Sequence, residues 1–245
     1  MPALLIKEIR CKSALTPSRI AGIDYALNPY VGCAHGCRYC YADFMRRYTN
    51  HREPWGTFVD VRVNAPDQLA RDVERLRPGV VSLSTVTDPY QPLEQRYALS
   101  RRCLTVLART LFPVSILTKS PLVTRDLDLL RVLPECEVGL TITTDDERMR
   151  RLFEPHAPPI AERLTALAAL KAAGVRTYAF VGPALPMNPQ RLAAMLQGLV
   201  DEVLIDRVNY AHKVLPIYRR EGLTKFLSSC YFEEVQAAMS SLKTN

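Results

Sequence analysis

No apolar run in this sequence approaches the length of a membrane-spanning helix, which sets aside an integral membrane protein built on such helices. The opening Met1-Pro2-Ala3-Leu4-Leu5-Ile6-Lys7-Glu8 is too short and too interrupted for a secretory signal, so a cytoplasmic location is expected. There is no internal repeat, which excludes a solenoid or propeller array, and no low-complexity tract. No phosphate-loop pattern and no recognised nucleic-acid module is present. Tryptophan is nearly absent, with Trp55 alone in a loop between Asn50 and Gly56. The seven cysteines are an odd number and three crowd one short stretch, which argues against a disulfide framework and for a reducing compartment. Cys11, Cys103, Cys136 and Cys230 share no spacing pattern, and most of them are expected to act as small buried apolar residues.

What is there is the material of an ordinary folded domain, with 48% apolar and 23% charged residues and enough chain to bury a substantial core. The net charge is +7. Three arginine groups contribute to it: Arg46, Arg47 and Arg52; Arg148, Arg150 and Arg151; and Arg219 with Arg220. Each group is either solvated surface or part of a phosphate-binding face for nucleic acid or a nucleotide.

Short apolar strands alternate with amphipathic helices. Strands are expected at 57–63, 80–84, 114–118, 137–142, 175–181 and 203–205, with an extended approach over 23–31. Helices are expected from Ala65 to Leu76, from Tyr97 to Leu111, after the start signals Ser120-Pro121 and Asn188-Pro189, from Pro158 to Ala173 with Gly174 as its cap, and near Phe232 to Leu242. Tyr41 to Tyr48 reads as a short helix. The pattern implies an α/β protein of parallel β/α units with helices outside. It divides into a lead-in (1–22), a main domain (23–215) and a C-terminal helical extension (216–245). In a barrel of such units the chemistry belongs at the C-terminal ends of the strands.

The stretch Asn28-Pro29-Tyr30-Val31-Gly32-Cys33-Ala34-His35-Gly36-Cys37-Arg38-Tyr39-Cys40-Tyr41-Ala42 carries the strongest chemical signal. Three thiolates at CxxxCxxC spacing can hold three corners of a cube-shaped iron–sulfur cluster, for which soft thiolate is the selecting ligand. No fourth cysteine lies nearby, so one iron stays open, and by analogy with zinc an open coordination site is where a metal does chemistry. A zinc knuckle would need His35 as its fourth ligand, although that residue falls inside the tight loop; a disulfide with a spare thiol is the other reading.

The CxxxCx(aromatic)C spacing, inside NPYxGCxHGCxYCYA, resembles the radical S-adenosylmethionine (SAM) enzymes, in particular the branch that contains spore photoproduct lyase. The string TDPYQPxE at 87–94 and EPxAP at 154–158 resemble that branch too. The resemblance implies a partial (β/α)6 TIM-like barrel, a 4Fe-4S cluster on Cys33, Cys37 and Cys40, and S-adenosyl-L-methionine held at the open iron. It implies reductive cleavage to methionine and a 5′-deoxyadenosyl radical that abstracts a hydrogen atom, with an electron donor such as flavodoxin or ferredoxin. Tyr39 would form part of the SAM pocket, Tyr39 and Tyr41 match tyrosines beside the third ligand and are catalytic candidates, and Lys119 would contact the SAM carboxylate.

Other polar residues fall at expected strand ends. Ser84, Thr85 and Asp88 follow one strand, and Asp88 and Glu94 can accept hydrogen bonds from a ribose or an ammonium. Thr141 and Thr143 share a strand face and could line the cofactor site. Glu154 could bond the SAM ribose or clamp Arg163. Gly182 to Asn188 and Asn209 to Lys213 could border adenine or substrate. The resemblance also breaks: the lyase's hydrogen-returning cysteine would fall near Ser84 or Thr85, neither a thiol, and an O–H bond is too strong for that role. Thymine-dimer repair by the same route is therefore not expected. A nucleic-acid or nucleotide substrate is the first reading of the function; a peptide- or metabolite-modifying radical SAM enzyme and a non-catalytic iron–sulfur or zinc binding module are the alternatives.

Overall fold

The computed structural model describes residues 4–240 and 242. Met1 to Ala3 of the lead-in, and Ser241 and Lys243 to Asn245 of the extension, lie outside the described residues. The strands are β1 (Leu5–Ile9), β2 (Leu15–Pro17), β3 (Tyr25–Leu27), β4 (Tyr30–Val31), β5 (Phe58–Arg62), β6 (Val81–Leu83), β7 (Val114–Thr118), β8 (Cys136–Thr141), β9 (Arg176–Val181) and β10 (Glu202–Ile205).

Seven of them form one sheet in the order β10-β9-β8-β7-β6-β3-β2. From β3 to β10 every pairing is parallel, and β2 adds an antiparallel edge. The six parallel strands follow chain order, so each helical crossover returns the chain to the adjacent place. This is the α/β partial barrel expected; the sheet does not close, and β2 and β10 are its edges.

The central strands bury nearly continuous apolar runs, such as Val114 and Ile116 in β7 and Val138 and Leu140 in β8, as a sheet covered on both faces requires. Helices at Ala65–Arg75, Leu99–Leu107, Ile160–Ala172 and Pro189–Leu196 supply the cover through residues such as Leu69, Leu104, Leu167 and Leu192. Gly139 makes room for a crossing ring: a Cβ there would lie 2.2 Å from Tyr178.

Several elements differ from expectation. The strand near 57–63 is β5, which leaves the parallel series and joins a small sheet, β1-β5-β4. The lead-in is woven into both sheets, β1 beside β5 and β2 beside β3. The helix expected over 97–111 is broken at Ala98, whose φ of 49° turns a short helix, Glu94–Tyr97, into Leu99–Leu107. Ser120-Pro121 opens a 3-10 turn, Pro121–Asp126, and its hydroxyl accepts from Leu122 N. A helix at Glu147–Phe153 went unread, although Asp146 caps it and Met149 and Phe153 form its buried face. Helix Ala211–Arg220 spans residue 216, so the division at 215 cuts through an element.

Candidate active site

The C-terminal ends of the six parallel strands open on one cavity of about 220 Å³. Cys33, Cys37 and Cys40 line it from the loop after β3 and β4, with Tyr39 and Tyr41 beside them. Ser84, Thr85 and Asp88 reach it from beyond β6, Lys119 from β7 and Thr141 from β8. Gly182-Pro183 after β9 and Asp206 to Tyr210 after β10 complete the ring.

The cysteine loop is held in place by side chains from its neighbours. Gly32 begins it at φ 90°, and a Cβ there would meet Phe58 O at 2.4 Å, so only glycine fits. The buried Gln91 amide spans Cys33: its oxygen accepts from Ala34 N at 2.9 Å and its nitrogen donates to Gly32 O at 3.3 Å. Thr87 adds a hydroxyl donor to Gly32 O at 2.5 Å. Asn28 Oδ1 accepts from the backbone N–H groups of Thr85 and Val86, tying the loop to the end of β6. At the far end Lys213 Nζ donates to Cys40 O at 2.7 Å and pairs with Asp43.

Two buried carboxylates stand behind the loop. Asp88 accepts from Tyr90 N and the Thr118 hydroxyl on one oxygen and from Lys119 N on the other, with His35 Nε2 at 3.3 Å from that second oxygen. Burial raises its pKa, but His35 and these donors outweigh burial and hold it at about 2. Glu154 takes Arg163 at 2.6 Å on one oxygen, and Tyr39 OH and Thr143 Oγ1 on the other. Again burial opposes and the cations Arg163 and Lys119 prevail, leaving it at about 2.

Burial pushes the Cys33 thiol well above its ordinary value and the Cys37 thiol up to about 12. Cys40 is raised for the same reason. Such thiols become thiolates when a metal centre replaces their protons. All seven cysteines are free, and Cys11, Cys103, Cys136 and Cys230 lie outside the cavity. Among the described residues no three His, Cys, Asp or Glu side chains converge as the donor set of a single metal ion. His35, the one local candidate for a fourth zinc ligand, turns its nitrogens toward Asp88 and His156 O. The donor set therefore fits three corners of a cluster better than a tetrahedral zinc site.

Comparison with known proteins agrees. The family profile described as the radical SAM superfamily matches residues 27–197. The chain belongs to the radical SAM superfamily. An uncharacterized protein of Methanocaldococcus jannaschii is 37% identical over 181 residues, covering 74% of this chain and 68% of that one. A radical SAM Nalpha-GlyT isomerase of Pseudomonas phage M6 is 25% identical over 161 residues, 64% of this chain but 32% of the isomerase. In fold the chain resembles spore photoproduct lyase complexed with dinucleoside spore photoproduct, at TM-score 0.65, 18% identity and coverage of 82% of this chain and 60% of the lyase. A mutant of that lyase with bound AdoMet and the same ligand gives 0.63 and 17%, over 89% of this chain and 66% of the mutant. The chain thus spans less than two thirds of several proteins it matches.

Within this radical SAM fold the expected site residues divide into two sets. Tyr39, Tyr41, Ser84, Thr85, Lys119 and Thr141 line the cavity with the three cysteines. Lys119 Nζ has no carboxylate within 4.0 Å among the described residues and lies 5.7 Å over the Tyr39 ring. Burial pulls its pKa down, but Cys37 and Glu154 outweigh burial and leave it raised. Thr143, Glu154 and Glu94 do not line the cavity, and for Glu154 the expected clamp on Arg163 is present. Thr143 and Glu154 are buried behind Tyr39, where Glu154 accepts from the Thr143 hydroxyl and from Arg163. Glu94 lies under the loop, accepting from Tyr30 OH, Ser100 N and Arg125. Asp88 reaches the cavity wall, but it already accepts from three protein donors, with His35 Nε2 at 3.3 Å. Gln91, Thr87 and Asn28 fall inside the two strings but were not singled out as site residues; Lys213, read as facing the substrate, donates to Cys40 O.

Proposed function

We propose that this radical SAM enzyme holds a 4Fe-4S cluster on Cys33, Cys37 and Cys40, binds SAM in the adjoining cavity, and abstracts a hydrogen atom from a nucleic acid or nucleotide. The observation that carries the reading is the meeting of three cysteines, with no fourth, and a lysine ammonium at the C-terminal mouth of six parallel strands. Bound there, the cluster and SAM supply a one-electron cleavage and a hydrogen-abstracting radical, chemistry that no side chain provides.

The chain's own residues bind, orient and exclude water. The ammonium of Lys119, free of a carboxylate partner, suits the SAM carboxylate as a compact charge. Tyr39 forms the wall beside it and is fixed by its bond to Glu154. Ser84, Thr85 and Thr141 present polar atoms from the strand ends. Asp88, Thr143 and Glu154 act from behind, keeping the loop and wall in position. Burial raises the phenols of Tyr39, well above the usual value, and of Tyr41, so both stay protonated near neutral pH, as a proton or hydrogen-atom donor must. An electron donor is required, and a ferredoxin or flavodoxin in the cytoplasm fits; no described helix is long and apolar enough to cross a membrane.

The nucleic-acid reading draws on the dinucleoside ligand named for the lyase structures. Ser84 or Thr85 stands where the lyase's hydrogen-returning thiol is expected, and among the described residues the cavity offers no thiol beyond the cluster set. This departure speaks against repair by the lyase's mechanism. In anaerobically reconstituted protein, dithionite and SAM should yield 5′-deoxyadenosine, and Cys37→Ala should lose both the cluster's visible absorbance and that product. Retention of either by Cys37→Ala overturns the assignment.

A further inference from the structure

An aromatic strip leaves the cavity and runs across the surface. Tyr41 and Tyr210 line the cavity, with ring centroids 6.4 Å apart and planes 19° from parallel. Phe44 follows Tyr41 at 6.3 Å and 28°, and Tyr48 meets Phe44 edge-on at 6.2 Å. These rings are 39% to 76% exposed, although each is large enough to belong in a core. They sit on the 3-10 turn Tyr41–Tyr48 and the loop before helix Ala211–Arg220. The strip is also anchored. Tyr41 OH donates to Thr85 O, and Lys213 lies 5.1 Å over the Tyr210 ring while it holds Asp43 and Cys40 O.

The charge beside the strip is uncompensated. Arg38, Arg47 and Arg52 are exposed, and none has a carboxylate within 4.0 Å among the described residues; Arg207 is exposed too, but its guanidinium lies 4.5 Å over the Phe232 ring. Arg46 spends one nitrogen on Arg52 O, and its buried Nε has no partner. The acids on the same elements are engaged, Asp43 by Lys213 and Asp206 by Asn209. Arg148, Arg150 and Arg151 differ: each has a carboxylate within 4.0 Å.

The cavity wall itself keeps three buried polar atoms without hydrogen-bond partners, Ser84 Oγ, Trp55 Nε1 and His35 Nε2, the last 3.3 Å from the Asp88 carboxylate. Ser84 is 6% exposed and held at φ 74°, a left-handed conformation uncommon outside glycine. Buried polar atoms in native proteins normally find partners, so unpaired ones on a cavity wall mark where a ligand's polar edge belongs.

We infer that the strip is a binding surface for single-stranded nucleic acid, which stacks bases on Tyr210, Tyr41, Phe44 and Tyr48, lays phosphates along the arginines, and presents one base to the cavity. This names the substrate class of the site proposed above and rests on that reading for the reaction, though not for the binding. Exposed ring faces suit unpaired bases, each of which has a π-face to offer, and a groove of cationic side chains tracks the backbone. A duplex keeps its bases stacked on one another, and an acidic peptide brings charge without repeated planar faces.

The test is fluorescence anisotropy with reconstituted holo-protein and a labelled 12-nucleotide single strand, as DNA and as RNA, against the same sequence as duplex and against polyglutamate, over a salt series. Single strands should bind at least about tenfold more tightly than duplex or polyglutamate. Phe44→Ala and Tyr48→Ala should each weaken binding roughly 5- to 150-fold, the range for loss of one stacked base. Arg47→Ala and Arg52→Ala should each flatten the salt slope by about 0.7. Arg148→Ala should bind as the parent does. Equal binding of polyglutamate or duplex, parent-like binding by both aromatic variants, or no binding of single strands overturns the inference. 5′-Deoxyadenosine formation without nucleic acid reports on the reaction separately. Its persistence without oligonucleotide binding sinks the surface alone, and its loss with binding intact sinks the reaction alone.

Discussion

The two halves of the cysteine loop are held by the same kind of group in different ways. Asp88 serves the first half through His35, and Glu154 serves the second through Tyr39. Both carboxylates are buried and both are held at about 2. Glu154 is balanced by a full charge, since Arg163 is as buried as its partner and has no second acid. Asp88 relies on a hydroxyl and two backbone N–H groups, with His35 at 3.3 Å. The first device spreads its stabilisation over several dipoles, and the second concentrates it in one ion pair away from water. Damage to the second should therefore cost more.

The largest effect is expected from Arg163→Met. It leaves Glu154 buried with no countercharge beside it except the more distant Lys119, and such removal costs about 3–5 kcal/mol. Adding Glu154→Gln should recover much of the loss, because the buried charge disappears. Asp88→Asn, which faces an amide NH2 against donors, should cost about 1–3 kcal/mol. Urea denaturation of the apo-proteins measures all three. A loss for Arg163→Met no greater than for Asp88→Asn would erase the distinction between the halves.

Acid is the next probe, and it treats both halves alike. A carboxylate held below its ordinary value contributes stability that is fully present above that value and is lost as pH falls through the folded value. For Asp88 and Glu154 the window runs from about pH 4 down to about pH 2. The difference between parent and the double variant Asp88→Asn/Glu154→Gln should shrink across that window, by roughly 2 kcal/mol per group. A stability difference that stays flat from pH 5 to pH 2 would mean that folding lowers the pKa of neither acid.

How much of this was legible depends on distance along the chain. The alternation of short apolar strands and amphipathic helices gave the parallel sheet, because both periods are local. The cysteine spacing is equally local, and all three ligand candidates line one cavity. Glu154 was read with two alternatives, a ribose contact and a clamp on Arg163; the clamp is present at 2.6 Å, and Thr143 takes the other oxygen. The partner in the following helix was legible, but nothing local shows that Thr143, 11 positions earlier, will take the other oxygen. Strand β5 alternates as a strand should, but its partners are β1 and β4, and pairing choice is not written in period. The arginine groups at 46–52 and 148–151 look alike in composition; the second is neutralised by Glu147, next to it in sequence, and by Glu221, far away.

The smallest effect sharpens the comparison from the loop's own side. Gln91 imitates a peptide partner for the residues flanking Cys33, accepting from Ala34 N and donating to Gly32 O, and it donates as well to Thr87. If the first half of the loop relies on distributed neutral bonds, removing one such brace should loosen that half without unfolding the domain. Gln91→Ala should cost about 1–2 kcal/mol in urea denaturation, the usual range for a buried donor and acceptor left unmatched. Amide exchange at Ala34 should quicken by about tenfold or more, while Arg38 N, bonded to Phe153 O in the second half, should exchange as in the parent. Iron content after anaerobic desalting should fall for the variant if the brace fixes Cys33 for its metal. Equal quickening at both amides would show that the loop moves as one piece and that its two supports are not independent.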